Sequence, residues 1–411
     1  MKELNVFLCH SKKEKRFIGQ LGEFRSRIYF EYDPSFLASP LWLSPYKLPP
    51  ESGLYQHKDL DFGPVFGLFD DSLPDGWGLL LMDRFFKQQG VDVESLSVLD
   101  RLAFLGDSTM GALTYEPAMK HEKYEPFVDL QFLAEQCTQI LEGESAEVLP
   151  QLMRMGGSPG GARPKVLVGI SNNRVISGEG NLPAGFEHWI VKFNSNDDFP
   201  DSGQVEYAYS LMAKQAGILM PETRLFKVSS KECFFGIKRF DRKENKRFHV
   251  HTFGNLIHSN FRLPQCDYET FLRVLLDLTK NHQDLERGFS QMVFNVMANN
   301  RDDHVKNFSF MINENQDWTL TPAYDVMYSK GPGGEHTMSL AGEGRKPGGQ
   351  EIIALGKKAG ISTKRISHCI EQSADAVRRW PYHAHAAGVT KGTTDYIQTK
   401  IKKNLSGFDA K

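Results

Sequence analysis

The segment RDDHVKN at residues 301–307 combines residue types that could transfer a phosphoryl group. Asp302 stands five residues before Asn307, and a further carboxylate, Asp325, follows 18 residues after that Asn. In such a set one carboxylate accepts the proton of an attacking hydroxyl, while an Asn oxygen and another carboxylate hold Mg²⁺ against the phosphates of ATP. Only Asp302 has the five-residue offset to Asn307, which favours it as the base, but spacing alone leaves Asp303 open. A polar turn is the alternative, since Asp and Asn are common in turns.

The elements around this segment are indicated by apolar residues on both sides. Residues 289–297 carry apolar side chains at helical spacing, so the segment is expected just past the end of a helix. Residues 308–312 and 318–321 are typical of two strands joined by a polar turn. Such a hairpin would return Asp325 to Asn307, which a mere polar turn would not require.

Another candidate is the Lys near the end of a strand-like segment, EHWIVKF at residues 187–193. In protein kinases a strand Lys contacts the α- and β-phosphates and pairs with a helix Glu. Glu206 opens a helical pattern and is the natural partner of Lys192, whereas a Lys on a solvated strand is the alternative. Residues 238–242 (KRFDR) follow a strand predicted at 232–237, where the hinge between kinase lobes and the adenine would be expected.

A glycine-rich run, GGSPGGARPK, occupies residues 156–165 and precedes a strand predicted at 166–170. Glycines let main-chain N–H groups close around phosphate oxygens without interference from a Cβ atom. The run matches neither the Walker A motif nor GxGxxG, and a plain connecting loop is the alternative. Its place one strand before Lys192 is that of a phosphate-covering loop.

Together these motifs resemble the HipA family of bacterial toxin kinases over nearly the whole chain. The motifs behind the resemblance are FGLFDDSLPDGW (66–77), GGSPGGARPK (156–165), the strand ending in Lys192, KRFDR (238–242), the Asp302-to-Asn307 spacing and LTPAYD (320–325). The resemblance implies an α+β, bilobal protein-kinase-like fold. It would have a small mixed α/β N-lobe, a helical C-lobe and an additional N-terminal α+β subdomain.

The resemblance also implies roles for individual residues. Asp302 resembles the catalytic base, and Asn307 and Asp325 resemble the Mg²⁺ ligands. Lys192 resembles the phosphate-contacting Lys, and Lys238 to Phe240 resemble the adenine-side segment, while Glu206 is kept as the structural ion-pair partner expected from its helical pattern. Ser158 resembles a serine that such kinases autophosphorylate, which ejects the glycine-rich loop and disables ATP binding. The expected ATP contacts are Gly160, Gly161, Ala162, Lys165, Lys192, Lys238, Arg239, Phe240, His304, Asn307, Tyr324 and Asp325. Some relatives are expected to have an acidic residue in place of Lys238, which leaves the side-chain contacts of the hinge open.

The function implied is that of an ATP- and Mg²⁺-dependent serine/threonine protein kinase, the toxin of a toxin–antitoxin pair. It would phosphorylate a host protein, in known cases an aminoacyl-tRNA synthetase. A small helix-turn-helix antitoxin of the HipB type is the expected partner, with operator DNA contacted only through the antitoxin.

Two alternatives are weighed against this function. A small-molecule kinase of the aminoglycoside-phosphotransferase type shares the D-x-x-x-x-N…D layout, but the N-terminal subdomain and the Ser158 loop argue against it. An inactive kinase fold that serves as a scaffold or co-repressor would have lost catalytic groups, and every expected group is present in the sequence.

The composition predicts a globular protein, and a cytoplasmic location is expected. A net charge of −2 and a pI near 6.7 give no overall basic footprint for nucleic acid. Five scattered cysteines without C-x-x-C spacing predict neither disulfides nor a zinc site, and the His249/His251 and His383/His385 pairs lack further ligands at metal spacing. No signal peptide and no membrane span are expected.

The predicted domains are an N-terminal subdomain at 1–118, a linker and lead-in helix at 119–145, and a kinase domain at 146–400, with its N-lobe to about 238 and its C-lobe from about 265. In the subdomain, residues 4–9 and 27–32 alternate as strands with a charged turn between them. Asp70, Asp71 and Asp75 are expected to cap the helix that opens after Pro74 rather than to bind a metal ion.

Overall fold

The computed structural model describes residues 2–119, 128–143, 148–157, 160–172, 174–195, 199–228 and 232–409. Ser158 and the polar linker predicted after residue 119 lie outside the described residues. The strands are β1 (Lys2–Ser11), β2 (Glu14–Phe24), β3 (Arg27–Tyr32), β4 (Leu54–Gln56), β5 (Leu113–Glu116), β6 (Lys165–Ser171), β7 (Arg174–Ser177), β8 (Glu187–Lys192), β9 (Thr223–Lys227), β10 (Cys233–Lys238), β11 (Arg242–Lys243), β12 (Lys246–Arg247), β13 (Val250–Thr252), β14 (Ser309–Ile312) and β15 (Trp318–Leu320). The helices are α1 (Pro34–Leu37), α2 (Gly67–Asp70), α3 (Gly76–Gln88), α4 (Val98–Leu105), α5 (Leu130–Glu142), α6 (Pro150–Gly156), α7 (Ser202–Gln215), α8 (Phe253–Ile257), α9 (Tyr268–Thr279), α10 (His282–Met297), α11 (Gly349–Lys358), α12 (Thr363–Arg378), α13 (Trp380–Ala387) and α14 (Lys391–Asp409).

Two compact units make up the chain. The first comprises Met1–Ser195, Gly236–His251 and Asn255–His258, and the second comprises Asn196–Phe235, Thr252–Gly254 and Ser259–Lys411. The first unit therefore contains the glycine-rich run together with the whole N-terminal region, whereas the sequence places domain boundaries at 118 and 145.

An antiparallel sheet with the strand order β4-β3-β2-β1-β5 opens the first unit. In β1 the side chains of Leu4, Val6 and Leu8 are buried at every second position, as a half-buried strand requires. The strands predicted at 4–9 and 27–32 are confirmed, but a further strand, β2, lies between them and begins within the charged turn predicted at 11–16. Its charged start is exposed at the end of the hairpin, which masks the alternating pattern that follows.

A second sheet of the first unit positions the glycine-rich run. Strand β6 lies between β7 and β8 and is antiparallel to both. Helix α3 packs against α6, and α6 packs against β6. Because α6 ends at Gly156 and β6 begins at Lys165, the run connects a helix that packs against α3 to strand β6 of this sheet.

A buried charged cluster ties the end of the N-terminal region to the chain after β10. Asp241 accepts hydrogen bonds from Arg239, from Arg242 at 2.7 Å and from the Gly111 main-chain N–H at 2.9 Å. Arg247 donates to main-chain oxygens of residues 107–111. Although burial opposes the charge on Asp241, the two neighbouring guanidinium groups hold the pKa of this carboxyl well below its usual range. The cluster is fully paired, as a buried charge requires.

The second unit is mostly helical and is built around α10. From Gly288 to Met297 every residue of α10 is buried, which is the pattern of a helix surrounded by protein. Helices α9, α12 and α14 pack against it, and β15 packs against both α9 and α10. The predicted helix at 289–297 and the predicted hairpin, now β14 and β15, are therefore confirmed.

Candidate functional site

The loop after α10 separates the two neighbouring aspartates of the RDDHVKN segment. Asp303 is fully buried, and its Oδ2 accepts a hydrogen bond from the Tyr268 hydroxyl at 2.6 Å and lies 2.8 Å from His336 Nδ1. Its Oδ1 accepts the Thr337 main-chain N–H at 2.9 Å. Asp302 is exposed. Asp303 therefore holds the loop to its surroundings, and Asp302 is the carboxylate of the pair that faces solvent.

Sequence reasoning missed the partners that hold this loop. Tyr268 and His336 lie 35 and 33 residues from Asp303, and no local pattern connects them to it. Burial, with a further contribution from the Asp303 carboxylate, raises the pKa of Tyr268 well above its usual value, so its hydroxyl stays protonated and donates. The Asn295 amide in turn donates to the Tyr268 oxygen at 3.3 Å, which extends the network into α10.

The hairpin brings the segment of Asp325 back to the segment of Asn307. Residues of β14 and β15 pair in the register Phe310↔Leu320, and the Thr321 N–H donates to the Ser309 oxygen at 3.0 Å. The Tyr324 hydroxyl then donates to the Lys306 main-chain oxygen at 2.6 Å. This bond ties the residue just before Asp325 to the residue just before Asn307. The structure thus gathers the two predicted metal ligands at the base of one hairpin.

The residues at this point suit Mg²⁺. The Asn307 side-chain N–H donates to the Asp302 main-chain oxygen at 2.5 Å, which directs the amide oxygen to the opposite side. Mg²⁺ binds oxygen and in phosphoryl-transfer sites takes only one or two protein carboxylates besides phosphates and water. An Asn oxygen with the Asp325 carboxylate fits that requirement. Within the described residues no three His, Cys, Asp or Glu side chains cluster as a closed metal cage.

Tyr324 and His304, both predicted as ATP contacts, have structural partners in the described loop. Tyr324 bonds the Ser309 hydroxyl at 2.5 Å besides its bond to Lys306. His304 Nδ1 accepts the Lys306 N–H at 3.2 Å, and its ring lies 5.5 Å from that of Phe261. Their role as nucleotide contacts stays a prediction.

A further residue of the motif, Arg301, is joined to the segment that follows Asp325. Its guanidinium donates to the Gly334 main-chain oxygen and to the Arg345 main-chain oxygen, while its own oxygen accepts the Thr337 N–H at 3.2 Å. The motif Arg thus orders the segment after Asp325, a role that sequence reasoning did not assign.

In the first unit, two buried lysines face each other across neighbouring strands. Lys165 of β6 and Lys192 of β8 are register partners, and only 4% and 8% of their surfaces are exposed. The Lys165 ammonium donates to the Gly160 main-chain oxygen at 2.5 Å. A partly desolvated ammonium group beside a glycine-rich loop, as in Lys165, suits a polyphosphate. Glu206 is buried in α7 of the second unit, and its pairing with Lys192 stays a prediction.

The described ends of the glycine-rich run lie against the start of α3. A Cβ atom on Gly156 would lie 2.9 Å from a methyl carbon of Leu81 and 3.0 Å from the Lys165 main-chain oxygen, so the run packs closely there. On the other side of the run, the Gly161 N–H donates to the Asp75 carboxylate, and the Gly161 oxygen accepts the Trp77 N–H at 3.1 Å. Ala162, the next predicted ATP contact, is exposed.

The capping role expected for the three aspartates was wrong. Asp75 is the N-cap residue of α3, but its side chain makes no capping bond to that helix and binds Gly161 instead. The Asp70 and Asp71 carboxylates both accept hydrogen bonds from Asn255, and Asp71 also bonds His251. Partners far away in sequence outcompete the local helix end for all three.

The predicted hinge residues differ in how they are used. The Lys238 side chain is half-buried and forms an ion pair with Glu187. The Arg239 guanidinium is buried in the pair with Asp241, while its main-chain N–H donates to the His188 oxygen at 2.9 Å. Arg239 therefore supports the fold with its side chain, and Phe240, half-buried, stays a predicted adenine neighbour.

His249, His251 and His383 of the two histidine pairs form side-chain hydrogen bonds. His249 Nε2 lies 2.9 Å from the Leu43 main-chain oxygen, and His251 bonds Asp71 and Ser44. His383 bonds Gln215 at 2.7 Å. Among the described residues, no helix combines the length and apolar character needed to cross a membrane.

Comparison with protein families gives a match to both halves of the chain. Residues 12–116 match the HipA N-terminal domain, and residues 157–380 match the HipA-like C-terminal domain. A protein of Haemophilus influenzae named "Putative kinase" is 27% identical over 200 residues, which are 45% of this chain and 56% of that protein. The "Putative kinase Y4dM" of Sinorhizobium fredii is 26% identical over 213 residues, 47% of this chain and 50% of that protein. The chain spans about half the length of these curated relatives.

The fold is similar to that of a solved complex from Shewanella oneidensis MR-1, described as the toxin–antitoxin system HipA, HipB and its operator DNA. The match covers 98% of this chain and 95% of the solved chain, with a TM-score of 0.70 and 16% identity. At this identity the likeness concerns the fold, and it confirms the predicted α+β fold class.

Proposed function

Because the chain belongs to the HipA family, we propose that it is an ATP- and Mg²⁺-dependent serine/threonine protein kinase that acts as the toxin of a toxin–antitoxin pair. The main support is the pair of neighbouring aspartates. Asp303 is buried and forms three hydrogen bonds with its surroundings. Asp302 is exposed, and it is the aspartate that lies five residues before Asn307.

In the proposed reaction, Asp302 orients the substrate hydroxyl and accepts its proton as the oxygen attacks the γ-phosphorus and ADP departs. Asn307 and Asp325 would hold Mg²⁺, which when bound neutralises charge on the phosphates. The Asn307 bond to the Asp302 main-chain oxygen keeps the base and the predicted metal ligand in a constant relation. The hydrogen bond between Tyr268 and Asp303 fixes the orientation of the loop, so that Asp302 and Asp303 keep their exposed and buried positions.

Lys192 and Lys165 are proposed to contact the phosphates of ATP. Both ammonium groups are held on adjacent strands, which lowers the entropy lost when a polyphosphate binds. Gly160, Gly161 and Ala162 would cover the phosphates, and Ser158 is proposed as an autophosphorylation site. The chain after β10, from Lys238 to Phe240, is proposed to lie beside the adenine.

The proposed partners are a small helix-turn-helix antitoxin of the HipB type and a host protein substrate. The net charge of −2 supports contact with operator DNA through the antitoxin rather than by this chain alone. The Shewanella oneidensis complex contains a HipA protein, a HipB protein and operator DNA, which makes this the first combination to test.

The proposal is tested by incubating the purified protein with cell lysate, Mg²⁺ and γ-labelled ATP. We expect label on one or a few proteins, at serine or threonine, and no label with Asp302→Asn. Label transferred only to small molecules would favour the aminoglycoside-phosphotransferase type. No transfer by the wild type, with no nucleotide binding at millimolar ATP, would favour an inactive scaffold.

A further inference from the structure

We infer that Asp75 and the turn that begins α3 are the seat of the glycine-rich loop, and that Asp75 is a positioning residue for nucleotide binding. This inference deepens the proposed kinase function and rests on it for its effect on ATP. The seat is defined here as residues 75–78. All of its contacts described below lie within the first unit.

The seat binds one residue of the loop, Gly161, through both of its main-chain polar groups. The Asp75 carboxylate accepts the Gly161 N–H, and the Trp77 N–H donates to the Gly161 oxygen at 3.1 Å. Gly161 has φ +99°, a backbone conformation that a free loop of ordinary residues rarely adopts. Glycine adopts this conformation without steric cost, and the two hydrogen bonds to the seat hold Gly161 in it.

The Asp75 carboxylate makes this bond in place of the usual capping bond to its own helix. An N-cap Asp ordinarily accepts an N–H of its own helix, which stabilises that helix by roughly 0.5–2 kcal/mol. Asp75 makes no such bond to α3, and it bonds an N–H that lies 86 residues away in the sequence. A hydrogen bond to a charged acceptor is about twice as strong as one between neutral groups. The Asp75 carboxylate therefore stabilises the position of the loop through Gly161 instead of stabilising the start of α3.

Close packing complements the hydrogen bonds. A Cβ atom on Gly76 would lie 2.7 Å from both the Gly161 oxygen and the Ala162 Cα, and Gly76 itself has φ +45°. A Cβ atom on Gly78 would lie 3.0 Å from the Gly157 oxygen. The turn therefore touches the described residues on each side of Ser158 and Pro159, and any side chain at Gly76 would push the loop away.

The contact with the seat also determines the position of the loop relative to Lys165. Because the Lys165 ammonium donates to the Gly160 oxygen, the seat also sets where the loop meets a predicted phosphate-binding Lys. If the loop covers the phosphates of ATP, weakening the seat should weaken nucleotide binding more than the chemical step. A structural role in folding alone would instead lower stability and leave the KM for ATP unchanged.

The first experiment compares Asp75→Asn with Asp92→Asn, which makes the same change at another N-cap of the first unit. Hydrogen exchange of the nucleotide-free protein, read by mass spectrometry on peptides that contain residues 160–165, should be about 10-fold faster at Gly161 in Asp75→Asn and unchanged in the control. The KM for ATP should rise about 3–10-fold, with kcat within about twofold and the melting temperature within about 2 °C. Asp75→Glu should restore part of the protection.

The second experiment uses shape rather than charge. Gly76→Ala should release the loop in the same exchange assay, whereas Gly90→Ala should not, although both glycines have positive φ, because a Cβ atom on Gly90 would meet nothing within 4 Å. Unchanged exchange at Gly161 in both Asp75→Asn and Gly76→Ala would overturn the inference. The exchange assay needs no catalysis, so it is independent of the labelling experiment. If the lysate is not labelled but exchange at Gly161 is faster in these variants, the kinase proposal is rejected while the contact between the seat and the loop is supported.

Discussion

Asp302 and Asp303 are neighbours in the chain, but they face different environments. Asp303 is fully buried and bonded to Tyr268, His336 and the Thr337 main chain, while Asp302 is exposed. The distinction that spacing alone leaves open is thus matched by a physical difference between the two carboxylates.

This difference predicts that Asp→Asn affects activity at position 302 and stability at position 303. Asp302→Asn should reduce phosphoryl transfer by about 10²–10⁴-fold, the usual contribution of an acid–base group, while the protein stays folded. Asp303→Asn should destabilise the fold by about 2–4 kcal/mol, because hydrogen bonds to a charged group are lost in the interior. Calorimetry and a transfer assay on the host substrate measure both. Full activity in Asp302→Asn would exclude it as the base.

Removing the predicted metal carboxylate should abolish Mg²⁺-dependent nucleotide binding. Mg²⁺-ATP should raise the melting temperature of the wild type by mass action, and Asp325→Asn should lose that shift. Asn tolerates the positive φ of +55° at this position, so the fold is expected to persist. Asp317→Asn, in the exposed turn of the same hairpin, is the matched control and should keep the shift. An equal shift in both variants would argue against Asp325 as a ligand.

Lys192→Met should weaken ATP binding by about 10-fold or more while leaving the nucleotide-free protein folded. Methionine is an apolar side chain of similar length that suits the buried position, and the substitution removes the ammonium group proposed to contact the phosphates. Isothermal titration with an ATP analogue measures the affinity. Lys227→Met, at the exposed end of β9, should bind as the wild type does. Equal affinity in Lys192→Met and the wild type would remove Lys192 from the nucleotide site.

Ser158 should carry phosphate after incubation with Mg²⁺-ATP, and phosphorylation should switch the enzyme off. A phosphate adds about −1.5 to −2 charge, which would repel ATP or pair with basic side chains in place of the seated loop. Mass spectrometry of the wild type and of Asp302→Asn decides the matter. Phosphate on both, or on neither after prolonged incubation, contradicts autophosphorylation.

Stability should fall as the pH drops from 7 to 5. Burial lowers the pKa of His249 to about 3 and that of His188 to about 4, compared with about 6.5 in the unfolded chain. Below pH 6.5 the unfolded state therefore binds protons that the native state does not. The free energy of unfolding should fall by about 2 kcal/mol per histidine between pH 7 and pH 5. Denaturant titrations at both pH values measure this loss. His249→Gln should have a shallower pH dependence, and an identical slope would contradict the assignment.

Local patterns determined the secondary structure that surrounds the candidate site. The helix ending before the RDDHVKN segment, the β14–β15 hairpin and the strand that contains Lys192 follow from apolar periodicity and turn residues. The five-residue offset from Asp302 to Asn307 is likewise a property of the sequence. Strand β2 was missed because the charged residues at its start resemble a turn when its hydrogen-bonded neighbours are unknown.

Which side chains meet was decided only by the tertiary structure. The burial of Asp303 depends on Tyr268 and His336, the bond of Asp75 depends on Gly161, and the facing lysines depend on the register of β6 and β8. A carboxylate at a helix start has the same local preference whether or not a distant N–H lies nearby. Periodicity reports which face of an element is buried, but a hydrogen-bond partner is chosen by packing between elements that are far apart in the chain.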